Sequence, residues 1–497
     1  MSPPLSPPSP PVELGEAEGF GDARIDRLVV EPLAGAWEAA LRDRGVRLSD
    51  RALRFRGELG LPNDRPIVMS GHQPGVWHPG ILAKHMGVEA ASRRWDAAGA
   101  WVVVDQDEVA SWNVAYPAVA RGERGVERLV RGVVKAEGFV GRDVPALRAS
   151  AIRLGDVNAS PATASVRAGL QGIRGAIERR AGAANAAEQM AGAARELMAI
   201  GTGGPSAATG TSDVSDTVRW FMASAIARTG LFAGLIERMR RDARACADAY
   251  NAAVARTVVE GVGVQMLISR EDGAAELPLW RVGSAMGSRR ERVYADMLGS
   301  AGEGELLPRG LMMSGVLRLA GCELFVHGLG GGGPRGYDRV TERWFEYWLG
   351  AEEGRLAPVA TVSATGWLGL PEWEGRVASD ADVAAAVWRR HHARHDPKML
   401  GDEAGAVEKG RLLREIEALH GRGERSARAF RAMHDGLASV REGRTGEMNR
   451  YEGEVEGARA RRAQLDVVQE RSWPFALYEE WQMTELRSEL EKRMGGE

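Results

Sequence analysis

Residues 71–80 read GHQPGVWHPG, a combination suited to holding a small polar ligand. Glycines at 71, 75 and 80 let the backbone come close to a bound molecule. A helix starting after such a turn would aim its first amides at an anion such as a carboxylate or phosphate. His72 and His78 can titrate, Gln73 can both donate and accept, and Lys84 carries a cation into the same stretch. Farther on, the apolar run AWVVV at residues 100–104 ends in Asp105-Gln106-Asp107-Glu108. If the two apolar segments pair as parallel strands, these acids lie beside the turn, because open α/β sheets bind ligands beyond the carboxyl ends of their strands. His72, Asp105 and Asp107 are therefore the candidate catalytic groups. Gly71, Gln73, Gly75 and Lys84 are the candidate binding groups. The alternative is a polar, Gly-rich connection without a ligand. Neither GxGxxG nor a P-loop occurs, so no cofactor follows from the sequence.

A second candidate is HGLGGGGPRGYD at residues 327–338. Consecutive glycines after a buried strand can form a nest of amides for an anion, and Arg335 could clamp a carboxylate with two parallel hydrogen bonds. Gly330, Gly331, Arg335, Tyr337 and Asp338 are its candidate substrate contacts; the alternative is a flexible loop. His391, His392 and His395 have helical spacing for a metal, but Arg389, Arg390 and Arg394 crowd the segment and oppose a cation, so no metal site is assigned. Cys246 and Cys322 show no neighbouring base and read as buried structural thiols.

The elements that must position these groups follow from periodicity. Residues 65–70, RPIVMS, form a short buried strand, 81–95 a helix, and 100–104 a second strand. Together they make a βαβ unit with a parallel sheet covered on both faces. Residues 23–59 read as mainly helical, and 214–258 as largely helical. Strands are expected at 263–269, 277–282, 323–327 and 359–362, the first two pairing across the turn 270–273. The glycine-rich 201–210 stretch reads as a mobile loop. In the last hundred residues Leu412, Ile416, Leu419, Gly423, Ser426, Phe430, Met433, Leu437 and Val440 alternate at spacings of four and three, with a weak middle at Gly423 and Ser426. The seam resumes at Met448, Tyr451, Val455, Ala458 and Leu465. The eight-residue step from Val440 to Met448 calls for a stutter or a hairpin. Gly443 and Gly446 favour a hairpin, hence an antiparallel coiled-coil arm; the alternative is two helices packed on the protein's own core.

The 497 residues carry a net charge of −3, so no global field draws the chain to nucleic acid or an anionic membrane. Two cysteines cannot build a disulfide framework, which fits a reducing, cytoplasmic setting; no stretch is long and apolar enough to span a membrane. The opening MSPPLSPPSPP reads as a disordered tail over residues 1–20. The expected organisation is that tail, an α/β core with helical insertions at 21–400, the arm at 401–470, and a helix at 471–497 returning to the core.

With these residues in hand, the chain resembles the cysteine-adding enzyme family of bacillithiol biosynthesis. That family has a GQQxG turn, a Gly-Pro pair, a Lys, and a strand ending in an EDHD-like motif. Here the corresponding residues are Gly71-His72-Gln73-Pro74-Gly75, Pro79-Gly80, Lys84 and Asp105-Gln106-Asp107. The segment from Cys322 to Phe345, with its glycine run, is similar to the family's later glycine-rich strand–helix unit. The order of parts matches across roughly residues 25–480. The resemblance implies a Rossmann-like core, a coiled coil that makes a homodimer, and a ligase joining the carboxyl of cysteine to the amine of a glucosaminyl-malate acceptor. Its departures are specific: His72 replaces a glutamine, the Gly-Pro order is inverted, and Gln106 stands where the family has a histidine. Gln cannot shuttle a proton. Two other readings compete. One is a non-catalytic oligomeric ligand-binding or scaffold protein that keeps the fold. The other starts from HQP, Lys and a strand ending in Asp, which also resemble the shorter WbqC-like proteins of glycan biosynthesis.

Overall fold

A computed structural model describes residues 22–42, 49–109, 112–122, 125–138, 141–201, 217–257, 263–302, 304–333, 336–373 and 375–495. Within them the chain divides into two compact units. Among the described residues the larger falls within 23–118, 131–369 and 471–495, and the smaller within 119–130 and 370–470. The C-terminal part of the smaller unit runs from Leu370 to Glu470. The Pro-rich tail and most of the 201–210 stretch lie outside the described residues.

The larger unit is mixed α/β, built on a six-stranded sheet. Its strands are β1 (Arg24–Glu31), β2 (Ile67–His72), β3 (Ala98–Val103), β4 (Val218–Met222), β5 (Leu324–His327) and β6 (Val359–Trp367). Their spatial order is β1-β6-β5-β2-β3-β4. Every neighbouring pair is parallel except β1 with β6. The expected βαβ unit is present: β2 leads through α1 (Pro79–Arg94) to β3, with Gly71 opposite Val102 and His72 opposite Val103.

Two expectations are corrected here. Residues 23–59 open with an antiparallel edge strand before two helices at Ala34–Arg42 and Asp50–Glu58. In RIDRLVVE only the adjacent Val29 and Val30 are buried, so no two-residue alternation marks the strand. Likewise the stretch 214–258 contributes β4 before its helices, including Ala243–Thr257. Residues 263–269 form no strand, only a single bridge from Ser269 to Ala275; strand Glu276–Val282 pairs instead with Arg290–Tyr294 and Leu306–Pro308.

Alternate residues of the central strands face two different layers. Met69, Ala100, Val102 and Phe325 enter a core shared with Phe232, Tyr250, Trp344 and Phe345. The last two belong to α2 (Asp338–Leu349), which crosses from β5 to β6. On the opposite face Trp101 meets Trp77, Trp220 and His85, with ring centroids 5.0, 5.7 and 5.2 Å away. That aromatic cluster seats α1. Beneath the strands, the guanidinium of Arg56 donates to Glu323 at 2.7 Å, and Glu323 also accepts the Ile67 amide at 2.6 Å. Both side chains are shut away from water, so one ion pair fixes the starts of β2 and β5.

The smaller unit is dominated by helices: α3 (Asp380–Ala393), α4 (Glu403–Gly421), α5 (Ala427–Gly443) and α6 (Thr445–Val468). Leu412, Ile416 and Ala429 bury against one another, so α4 and α5 form a helical hairpin. Its turn is at 422–426, where Gly423 adopts φ +72°, a conformation other residues rarely take. The expected hairpin at Gly443 and Gly446 is absent: α5 and α6 are separated by Arg444 alone, at φ −119° and ψ 37°. The eight-residue step is therefore a kink in nearly continuous helix, and α6 packs through Val455 and Ala458 onto Ala386 of α3. The C-terminal helix α7 (Glu480–Gly495) packs in the larger unit, where Arg487 pairs with Glu89 of α1 at 2.8 Å. No described helix is long and apolar enough to cross a membrane.

Candidate functional site

β2 continues to β3 on one side of the sheet, whereas β5 continues to β6 on the other. Diverging connections of this kind open a crevice at the carboxyl ends of the two middle strands. A cavity of about 510 Å³ lies there, between the ends of β2 and β5. Gly71, His72, Gln73, Lys84, Asp107, His327, Gly330, Gly331 and Tyr337 all line it. The two glycine-rich segments, more than two hundred residues apart in sequence, thus face a common space.

Gly71 is needed at its position. A Cβ there would lie 2.2 Å from the side chain of Val102 and 2.4 Å from its carbonyl oxygen. His72, the next residue, is half-buried, and its Nδ1 lies 3.2 Å from the Gln73 carbonyl. Burial, assisted by the nearby Lys84 charge, lowers its pKa to about 3, so the ring is neutral and basic only toward strong acids. His78 serves the helix: it is the N-cap of α1, and its Nδ1 accepts the Gly80 amide at 3.1 Å. Gly75 does not reach the cavity wall.

Lys84, on the second turn of α1, points back under β2 and donates to the Gly71 carbonyl at 2.8 Å. It is almost wholly buried, lies 5.6 Å from the centre of the Trp101 ring, and has no carboxylate partner among the described residues. Removal from water drops its pKa from 10.5 to about 7. The amine can then exist in both forms near neutrality, which an exposed lysine does not do.

The acidic motif splits. Asp107 faces the cavity and is held by Arg290 at 3.2 Å, a residue of the small antiparallel sheet whose guanidinium also contacts Glu108. Burial raises the Asp107 pKa against the opposing pull of Arg290. Asp105 does not line the cavity. It accepts both the amide and the hydroxyl of Ser224, at 2.8 and 2.5 Å, and ties the end of β3 to the segment following β4. Gln106 also turns away, donating to Pro308 and Met313 in the core. No group in that position faces the cavity.

At the end of β5, Tyr337 places its hydroxyl 3.3 Å from His327 Nδ1. On the far side of the ring, Asp338 Oδ1 lies 3.2 Å from Nε2, outside hydrogen-bonding geometry. Burial holds His327 well below its ordinary pKa and, opposed by Arg318, lifts Asp338 to about 7. Asp338 itself stays behind the wall, beside the buried Arg318. The row Tyr337–His327–Asp338 could carry a proton between the cavity and the interior with small shifts. Arg335 lies outside the described residues. His327, Arg290, Ser314 and Met313 are wall or supporting residues not singled out as site residues from sequence. Only His327, which ends a buried strand just before the glycine run, carried a local signal.

A second cavity of about 700 Å³ shares Gly310, Leu311, Leu329, Gly330 and Tyr337 with the first and adds Tyr250 and Arg309. Arg309 is anchored to Glu276 at 2.6 Å and lies over Trp280. In the smaller unit, His391 and His395 have ring centroids 5.1 Å apart, but His392 stacks on Trp388 at 3.8 Å. No cluster of three or more His, Cys, Asp or Glu residues arranged for a metal occurs among the described residues. Both cysteines are buried and not disulfide-linked. Compared with known proteins, the chain matches no family model and no curated protein.

Proposed function

We propose that the cavity at the ends of β2 and β5 is the active site of a ligase that forms a carbon–nitrogen bond. It would join the carboxyl of a cysteine-like substrate to the amine of an amino-sugar acceptor, in a diverged relative of the cysteine-adding enzymes. One observation carries this reading: Gly71, His72, Gln73, Lys84, Asp107, Gly330, Gly331 and Tyr337 line one concave space. In its protonated form Lys84 would hold the substrate carboxylate. Asp107, tethered by Arg290, would hold the acceptor ammonium. A base must take a proton from that ammonium before its nitrogen can attack. With Gln106 turned into the core, His327, which lines the cavity next to Tyr337, takes that role. The parallel core is proposed as Rossmann-like, and the α4–α5 hairpin as the homodimer contact.

The test is mass spectrometry of purified protein with cysteine, glucosaminyl-malate and a nucleotide, with sedimentation equilibrium on the same preparation. A product at the mass of the amide, lost in Asp107→Asn, is expected. No product above control, together with tight binding of another metabolite, overturns the ligase reading and leaves a ligand-binding protein. A monomeric mass overturns the dimer.

A further inference from the structure

The chain has only five lysines, at 84, 135, 398, 409 and 492, among 65 basic residues. Arginine supplies nearly all of the chain's positive charge. Four of the five lysines are exposed or half-exposed, whereas Lys84 is buried in the cavity wall. An arginine could pair with an anion but could not lose its proton; a lysine can do both.

We propose that Lys84 is a covalent carbonyl site: its amine forms an imine with an aldehyde or 2-oxo acid bound in the cavity between β2 and β5. The geometry supplies what this needs. The Gly71 carbonyl fixes Nζ at 2.8 Å and, as an acceptor, does not occupy the nitrogen lone pair. The described titratable groups facing the same space are His72 from β2, His78 at the start of α1, His327 from β5, Asp107 after β3 and Tyr337 before α2. Asp107 is already engaged by Arg290, so none of them forms an ion pair that would lock the amine as an ammonium. Desolvation of the amine, with its pKa near 7, is the usual route to a nucleophilic lysine. In the reaction, nitrogen attacks the carbonyl carbon to give a carbinolamine. The C–O bond then breaks, the oxygen leaves as water with both amine protons, and a C=N bond remains. Tyr337 and His327, which line the same cavity, would pass a proton to the departing hydroxyl.

The reading does not depend on ligase activity, and its test needs none. Full-length protein is incubated at pH 7 with glyoxylate and sodium cyanoborohydride, whose hydride reduces the imine to a stable secondary amine. Peptide mapping then reads carboxymethylation at each lysine. Near neutral pH a substantial share of Lys84 is free base, against only a trace for an exposed lysine. Its lower basicity gives back part of that advantage. Modification of Lys84 at least about tenfold faster than of Lys135, Lys398 and Lys492 is expected at pH 7, with an advantage that narrows as pH rises toward the pKa of exposed lysines and disappears in urea. Lys84→Arg removes the fast phase. Because the exposed lysines are internal references, the wild-type protein alone decides: Lys84 labelled no faster than they are overturns the proposal.

Discussion

Charged side chains are used in opposite ways by the sheet-containing unit and by the helices of residues 370–470. Around the sheet, Arg56 with Glu323 and Arg318 with Asp338 are removed from water, linking the helical segments before β2 and β5 to the start of β5 and the start of α2. Along the helices, Arg411 reaches both Glu408 and Glu415, while Glu452 is shared by Arg390 and Arg394, all on exposed faces. Buried charges in one unit define particular atoms, whereas exposed charges in the other are interchangeable. The same residue types thus position a site in one place and solvate a surface in another.

The difference is broken most directly at Glu323. Glu323→Ala strands the Arg56 guanidinium in the core and takes an acceptor from the Ile67 amide at the start of β2. A loss of about 3–5 kcal/mol is expected in urea unfolding followed by tryptophan emission. A loss below about 1 kcal/mol would show that water reaches this pair and that the contrast is false.

Lys84 tests the same contrast with the sign reversed, since its charge is buried without a partner. Its folded pKa of about 7 lies below the unfolded value of 10.5. Between these values the unfolded chain carries a proton that the folded protein has released, so wild-type stability rises with pH from 7 to 10.5. Lys84→Met should therefore be more stable near pH 7, on the order of 3 kcal/mol after the lost bond to Gly71 is deducted. That advantage should shrink steadily up to about pH 10.5. Parallel stability–pH curves for the two proteins would show that Lys84 is solvated.

How much could be read from the sequence depends on the same burial. β2, α1 and β3 were legible because apolar runs, punctuated by Gly and Pro, have lengths that only a covered βαβ unit satisfies. The two faces of the cavity were legible for the same reason, as glycine-rich turns after buried strands. β1 was not, with only Val29 and Val30 buried, nor was β4, whose VRWFM sits within an Ala-rich helical context. Asp105 and Asp107 are two residues apart in one acidic motif, yet only Asp107 lines the cavity. What separates them is Ser224 and Arg290, each more than a hundred residues away along the chain. In the helical unit the seam was visible, but Gly423 and Gly443 look alike as letters. Only the positive φ at Gly423 distinguishes the turn from the kink.

The smallest effect is expected at Glu452, and its smallness is the point. Its carboxylate accepts from Arg390 at 3.2 Å and from Arg394 at 3.0 Å, and hydrogen bonding to these guanidiniums holds its pKa below the usual value. A lowered acid pKa means stability that is present above the unfolded pKa and lost as pH falls through the folded one. The side chain is 39% exposed, however, so water and salt replace most of what the arginines supply. Glu452→Ala should cost less than about 1 kcal/mol in urea unfolding followed by far-ultraviolet circular dichroism at low salt. At about 0.5 M salt the difference should fall within error, because screening then acts over roughly the length of the pair itself. A loss above about 2 kcal/mol that persists in salt would make Glu452 the counterpart of Glu323, a charge that holds specific atoms in place. The distinction between the two units would then lie in their elements and not in how they use charge.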